Sequence, residues 1–216
     1  GNSLKISVCD TADAYTSTVN LLASNTVSTN ATLTNVTITV GSNTALVKMA
    51  NAVGSNTADA NTAAAAVAAT MTVGDVIELG NTSIGKQYAK VTSIGTPTTN
   101  ATHAYFSITL DSTYNLSANL TSTSFTRFWE YYNSVDRAPA VSSYQRSFGG
   151  NTSAVDEVHV AVVDQDGEFT GVPGTVLEIY QGLSRASDAK TVDGATNYYK
   201  TVINDGSQYI WADRKS

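Results

Sequence analysis

The sequence predicts an α+β fold: a mixed β-sheet layer domain with few helices, interrupted by a β-rich insertion built as a small barrel or sandwich. Strong two-residue hydrophobic alternation marks strands near both ends of the chain, at Leu4–Val8 and within Asp156–Ser184. Helix signals are few, chiefly an Ala-rich stretch near 58–71 and a short amphipathic run at Thr196–Asn204. Between the ends, residues 73–125 read as short strands punctuated by Gly, Asn, Pro and Asp. These observations place a discontinuous core at 1–19 and 126–216 and the insertion at 20–125.

Taken in order, Leu4, Ile6 and Val8 alternate with Lys5, Ser7 and Cys9, the period of a strand with one face buried. Residues 20–62 are rich in Asn, Thr and Ser, with a strand at Leu33, Val36, Ile38 and Val40 closed by Gly41. Thr44–Val53 is ambiguous: Leu46, Met49, Ala50 and Val53 fit a helical stripe ended by Gly54, and a strand fits too. Ala58–Met71 predicts a high-propensity helix capped by Asn56 or Thr57, with a low-complexity linker as the alternative. Three strands follow, VGDVIELG, YAKVTSIG and AYFSITLD, with bends at Gly74-Asp75, Gly80-Asn81 and Gly95-Thr96-Pro97. Phe125, Phe128, Trp129, Tyr131 and Tyr132 then form an aromatic cluster, read first as packing and second as a groove for a sugar or base.

After the Gly149-Gly150 break, Val158, Val160 and Val162 share one strand face and His159, Ala161 and Val163 the other. Neither face is charged, so the strand is expected to be central and covered on both sides. Asp164-Gln165-Asp166-Gly167 turns the chain, Gly171-Val172-Pro173-Gly174 turns it again, and Thr175–Tyr180 is the next strand. Tyr198, Val202 and Ile203 give the Thr196–Asn204 helix its apolar stripe, with Asp193 or Thr196 as cap and Gly206 as stop. Tyr209-Ile210-Trp211 predicts a closing strand over Ser207–Ala212.

Composition narrows the function classes. In 216 residues charged side chains are 14%, while 42% hydrophobic content and eleven tyrosines predict a folded chain with a neutral-polar surface. The net charge of −6 leaves no basic stripe for phosphates, which argues against nucleic-acid binding and polybasic membrane docking. No apolar run approaches the ~20 residues of a membrane span, so no membrane insertion is expected. The lone Cys9 reads as a buried thiol, consistent with a reducing compartment. The ends, Gly1-Asn2-Ser3 and Arg214-Lys215-Ser216, lead to the expectation of a piece excised from a longer chain.

Candidate chemistries fail on spacing. Setting Gly167 at position 6 of a calcium loop puts Val162 and Pro173 where carboxylates are required, so Asp164–Gly167 reads as a hairpin turn with solvated acids. Gly182-Leu183-Ser184-Arg185-Ala186 resembles a nucleophile elbow, yet it ends in Ala and both histidines, His103 and His159, precede Ser184. Two histidines and one cysteine make no zinc pattern, and no phosphate loop is present. Seven Asn-x-Ser/Thr matches, among them Asn30, Asn35 and Asn115, are what chance provides in so Asn- and Thr-rich a chain. No catalytic, cofactor-binding or metal residue is therefore assigned, and no enzyme is expected.

Three segments resemble the contractile tail sheath proteins of myovirus bacteriophages: Gly1–Val8, then Asp156–Lys190, then Asp193–Trp211. The most telling parts are the strand ending Val163-Asp164-Gln165-Asp166-Gly167, the run Gly174-Thr175-Val176-Leu177-Glu178 leading into Gly182-Leu183-Ser184, and Asn197-Tyr198-Tyr199-Lys200 through to Tyr209-Ile210-Trp211. With the aromatics at 128–132 they cover about half of the chain, in the family's order and spacing; 20–125 resembles the family only as a β-rich insertion. The resemblance implies a structural subunit that stacks in rings around a tail tube and contracts to drive the tube through the bacterial envelope. Its partners would be other sheath subunits and the tail tube protein, its place the virion, and its assembly site the host cytoplasm. The family's terminal regions and strand-donating arms have no counterpart here, so the chain is expected to be an internal fragment that folds as a monomer. The alternative reading is a glycan-binding or adhesin-like module using the aromatic cluster at 125–132.

Overall fold

The computed structural model describes residues 3–23, 34–50, 57–100, 103–148 and 153–213. Expectations placed on Asn30, Leu33, Val53, Gly54, Asn56, Gly149 and Gly150 lie outside these residues. In chain order the elements are β1 (Leu4–Cys9), α1 (Ala12–Tyr15), β2 (Thr16–Asn20), β3 (Asn35–Ile38), β4 (Thr44–Ala50), α2 (Thr57–Ala69), β5 (Val76–Asn81) and β6 (Gly85–Ile94). They continue with β7 (Thr98–Thr99), β8 (His103–Leu110), β9 (Leu120–Ser122), β10 (Ser124–Phe128), α3 (Ser143–Phe148), β11 (Glu157–Asp164), β12 (Thr175–Ser184) and α4 (Tyr199–Gly206). The fold is α+β with few helices.

The chain divides into two compact units, Gly1–Tyr15 with Tyr131–Ser216, and Thr16–Glu130. The expected junctions at 19/20 and 125/126 fall inside β2 and β10, which pair with each other in the second unit. Every pairing between named strands is antiparallel, where a mixed sheet was expected. Neighbours joined by short turns, such as β5–β6 and β11–β12, must run antiparallel, because a parallel pair needs a long crossover. Among the described residues a parallel contact remains as an isolated bridge from Ser184 to Tyr198.

In Thr16–Glu130 a nine-stranded sheet runs β2-β10-β5-β6-β8-β4-β3-β9, with β7 on β8. Its ends meet in the chain: β9, at one end, is separated from β10, beside the other end, by Thr123 alone. Leu21, just past β2, donates its amide to the Thr123 carbonyl at 2.9 Å. These joins bend the sheet round its apolar face. That face follows the two-residue period, with Ala104, Phe106, Ile108 and Leu110 of β8 buried together. Ala45, Val47 and Met49 of β4 stand opposite Ile108, Phe106 and Ala104, which settles the ambiguous Thr44 stretch as a strand. α2 lies against β4 and β8 through buried Ala60, Ala63 and Ala64, whose small side chains let a helix approach the sheet closely. At the β5–β6 turn Gly80 has φ +116°, and a Cβ there would sit 2.1 Å from the Gly85 carbonyl oxygen, so no other residue fits.

The other unit holds a three-stranded sheet in the order β1-β11-β12. All eight residues of β11 are buried, as expected of a central strand covered on both faces. β1 departs from expectation. Its apolar face should be covered, yet Ile6 and Val8 are 53% and 55% exposed, while Cys9 is buried. α4 begins at Tyr199, three residues later than periodicity predicts, and neither Asp193 nor Thr196 caps it: its N-cap is Tyr198, with no side-chain bond. The closing strand over Ser207–Ala212 does not form. Ser207 Oγ accepts the amides of Tyr209 and Ile210, and Asn204 clasps Ala212 at both its N–H and its carbonyl, so side chains occupy the groups a strand would offer a partner.

Candidate functional site

On one face of the three-stranded sheet Ile6 and Val8 of β1 stand in register with Val162 and Val160 of β11, so the apolar period of the two strands coincides. Val158 and Val160 are buried against Leu183 of β12 and Ile203 of α4, with Tyr180, Tyr199 and Ile210 packed around them. The sheet is wider than the helix covers. An apolar groove of about 440 Å³ is left, floored by Val158, Val160 and Ile203 and rimmed by Ile6, Val8 and Trp211. Trp211 is 71% exposed. Arg185, also at the groove, ties its guanidinium to the Val155 carbonyl at 2.7 Å and lies 3.9 Å from Asp10.

The groove's far wall is held by polar contacts. Glu178 accepts the Ser207 hydroxyl at 2.6 Å, the Gln208 amide at 2.9 Å and the Tyr180 hydroxyl at 3.0 Å, fixing the turn that follows α4. The Asn204 clasp on Ala212 then sets the position of Trp211. Trp211 is presented by side-chain bonding rather than by a strand.

The Asp164 turn is built more tightly than a solvated hairpin. Asp164 is fully buried, and its carboxylate accepts the amides of Gly167, Phe169 and Thr170 and the Thr170 hydroxyl, at 2.8–3.1 Å. Asp166 is exposed, as expected. Ser184 lies at the end of β12, fully buried, its hydroxyl donated to Asp156 while it accepts the Ala186 amide at 3.0 Å. His159 Nδ1 accepts the Gly182 amide at 2.9 Å, and Nε2 therefore carries the proton it donates to the Arg137 carbonyl at 2.8 Å. Both ring nitrogens serve the main chain, so the imidazole riveting β11 to its neighbours is not placed as the base of a serine nucleophile. Gly182 takes φ +67° at the irregular β11–β12 register, which a side chain would strain. Beside it Glu157 forms a two-bonded pair with Arg137, at 2.5 and 2.8 Å, and accepts the Ala140 amide.

His103 belongs to the other unit, where its ring meets Asn100 at 3.2 Å; burial, and then Lys48, hold its pKa below the usual imidazole value. Among the described residues no three His, Cys, Asp or Glu side chains converge as a metal site. Phe125, Trp129 and Tyr131 are buried, which removes the exposed aromatic platform that a glycan groove at 125–132 requires. Alternation alone did not find the groove, because it identifies an apolar face but not what fails to cover that face.

Three carboxylates of this unit share an electrostatic signature. For Asp156, Asp164 and Glu178 burial pushes the pKa up, and hydrogen bonds outweigh it: the Ser142 amide and Ser184 hydroxyl on Asp156, Thr170 and its neighbouring amides on Asp164, and Ser207 with Gln208 on Glu178. All three lie below their ordinary values. A depressed folded pKa contributes stability that is complete above the unfolded range of about 3.9–4.3 and is lost as pH falls through the folded values. Urea stability is thus expected to be level down to about pH 5 and to drop steeply below about pH 4. A triple Asp156→Asn, Asp164→Asn, Glu178→Gln variant should show a shallower drop, and an unchanged slope would discard these groups as its source.

Comparison with protein-family models, curated proteins and solved structures finds no match to the chain.

Proposed function

We propose that the chain is part of a structural subunit of a phage contractile tail sheath, which stacks in rings around the tail tube and contracts to drive it through the bacterial envelope. The observation that carries this reading is the composition of the groove. Ile6 and Val8 come from the first sheath-like segment, Val158 and Val160 from the second, and Ile203, Ile210 and Trp211 from the third. Segments that resemble a lattice-forming family thus converge on one apolar, half-open surface, the kind of patch that marks a protein–protein contact.

On this reading the unit Gly1–Tyr15 with Tyr131–Ser216 is the sheath core, and Thr16–Glu130 is a barrel-like insertion between its two segments in the sequence. The partners are neighbouring sheath subunits and the tail tube protein, and the place of action is the virion tail. With Phe125, Trp129 and Tyr131 buried and Phe128 and Tyr132 half-buried, the aromatics at 125–132 give the glycan-binding alternative no comparable support.

The test is to express the full-length open reading frame that contains this chain and to image the product by negative-stain electron microscopy. Tubular assemblies are expected. The double variant Ile6→Asp, Val8→Asp places charge on two half-exposed positions and should leave circular dichroism unchanged while abolishing the tubes. A product that never forms tubes would end the sheath assignment.

A further inference from the structure

The tip of the β11–β12 hairpin is an exposed apolar feature on the same unit. Phe169 and Val172 are 51% and 62% exposed, and the flanking Asp166 and Glu168 are exposed as well. This loop is rigid by construction, since the buried Asp164 carboxylate takes four hydrogen bonds from within it. Gly171 adds its amide to the Gly167 carbonyl at 2.7 Å, and Gly174 adds its own to the Asp164 carbonyl at 2.7 Å. A preorganised loop that holds two large apolar side chains toward water loses little entropy when it docks.

We infer that the groove receives the hairpin tip of a second copy of this chain. The two surfaces are complementary in kind: an apolar projection flanked by Asp166 and Glu168, and an apolar groove bordered by the half-exposed Arg185 guanidinium, whose Asp10 neighbour stands at the outer 3.9 Å limit of an ion pair. The groove runs along the sheet from Ile6, two residues from the Leu4–Asp164 pair, to Arg185 at the opposite end of the hairpin. By register the tip begins beyond the Leu4–Asp164 pair, whereas Val8 faces Val160 and Arg185 follows β12 at the other end of the hairpin. The tip is also tied down within its own copy, with Glu168 accepting the Ser3 hydroxyl at 2.5 Å and Phe169 edge-on to Tyr209 at 5.4 Å. It is not free to fold back into its own groove.

Where the exchange is not reciprocal between two copies, different surfaces meet head to tail, a contact that repeats into rings or open helical arrays. This inference rests on the sheath reading and gives that reading a specific contact between subunits.

Covalent trapping tests it on the chain as it stands. Ile6→Cys in one preparation and Val172→Cys in another are mixed under mild oxidation, so that two thiols lose two hydrogens to the added oxidant and form one disulfide between copies. Native Cys9 is buried and stays out of the reaction. The mixed pair should cross-link about tenfold faster than a control pair of Ile6→Cys with Val73→Cys, an exposed position on the other unit. Adding Glu168→Lys to the tip variant should slow the reaction, and Arg185→Glu in the groove variant should restore it. A rate equal to the control, or a charge reversal without rescue, overturns the inference. Failure of the two ideas is separable: wild-type tubes that persist with Val172→Asp remove the tip contact and leave the sheath reading standing. Cross-linking without tubes does the opposite.

Discussion

Replacing Arg127 with alanine is expected to destabilise the Thr16–Glu130 unit by about 3–5 kcal/mol, the cost of leaving one half of a buried ion pair uncompensated. Arg127 on β10 and Asp75 at the start of β5 are both almost fully buried, with Nη1 3.2 Å from Oδ2. The same carboxylate accepts the Thr72 amide at 2.8 Å, and Arg127 Nε reaches Ser17 Oγ at 3.4 Å, so the pair joins β2, β10 and the turn before β5. Removing the guanidinium strands the carboxylate where water does not reach. Urea unfolding measures the loss, and a second variant tests its cause. Arg127→Met with Asp75→Leu removes both charges and should recover most of the stability. If the double variant is no better than Arg127→Ala, the loss comes from packing and the electrostatic account is wrong.

The second large effect is expected in the same unit's interior. Phe106 of β8 is 2% exposed, faces Val47 across the β4–β8 pair, and belongs to the cluster that includes Leu79, Val91 and Tyr114. Phe106→Ala should cost about 3–5 kcal/mol through lost transfer energy and the cavity left behind, and Phe106→Leu distinctly less. Thermal melts of the two variants separate the terms. Equal losses would show that the ring's shape rather than its volume is what the core requires. Neither substitution touches the groove, so the tip-to-groove cross-linking rate should be unchanged in both.

Particular residues show how far local pattern reaches. In β11 the absence of charge on either face predicts double coverage, and every residue of the strand is buried. In β1 the same kind of pattern predicts burial of Ile6 and Val8, and they stand half open because α4 covers only part of the sheet. Leu46, Met49 and Ala50 satisfy a helical stripe as well as a strand does; pairing with β8 on one side and β3 on the other decides for the strand. Tyr209-Ile210-Trp211 has strand propensity, yet the Ser207 hydroxyl and the Asn204 amide take the main-chain groups first. The acidic turn after β11 is legible as a turn. That Asp164 is buried at its centre is not, because burial depends on a loop folding back over it.

The sequence by itself determined the α+β class, the strand character of β1, β11 and β12, the Ala-rich helix α2 and the hairpin turn at Asp164. These follow from local periodicity and turn chemistry, which act over a few residues. Tertiary structure alone decided that the named strands pair antiparallel throughout, that the aromatics Phe125, Trp129 and Tyr131 are buried, and that an apolar groove exists. Ile6, Val158 and Trp211 are far apart along the chain, and whether their side chains meet, and what leaves them uncovered, is set by strand register and by where the polar clasps of Glu178 and Asn204 stop the chain.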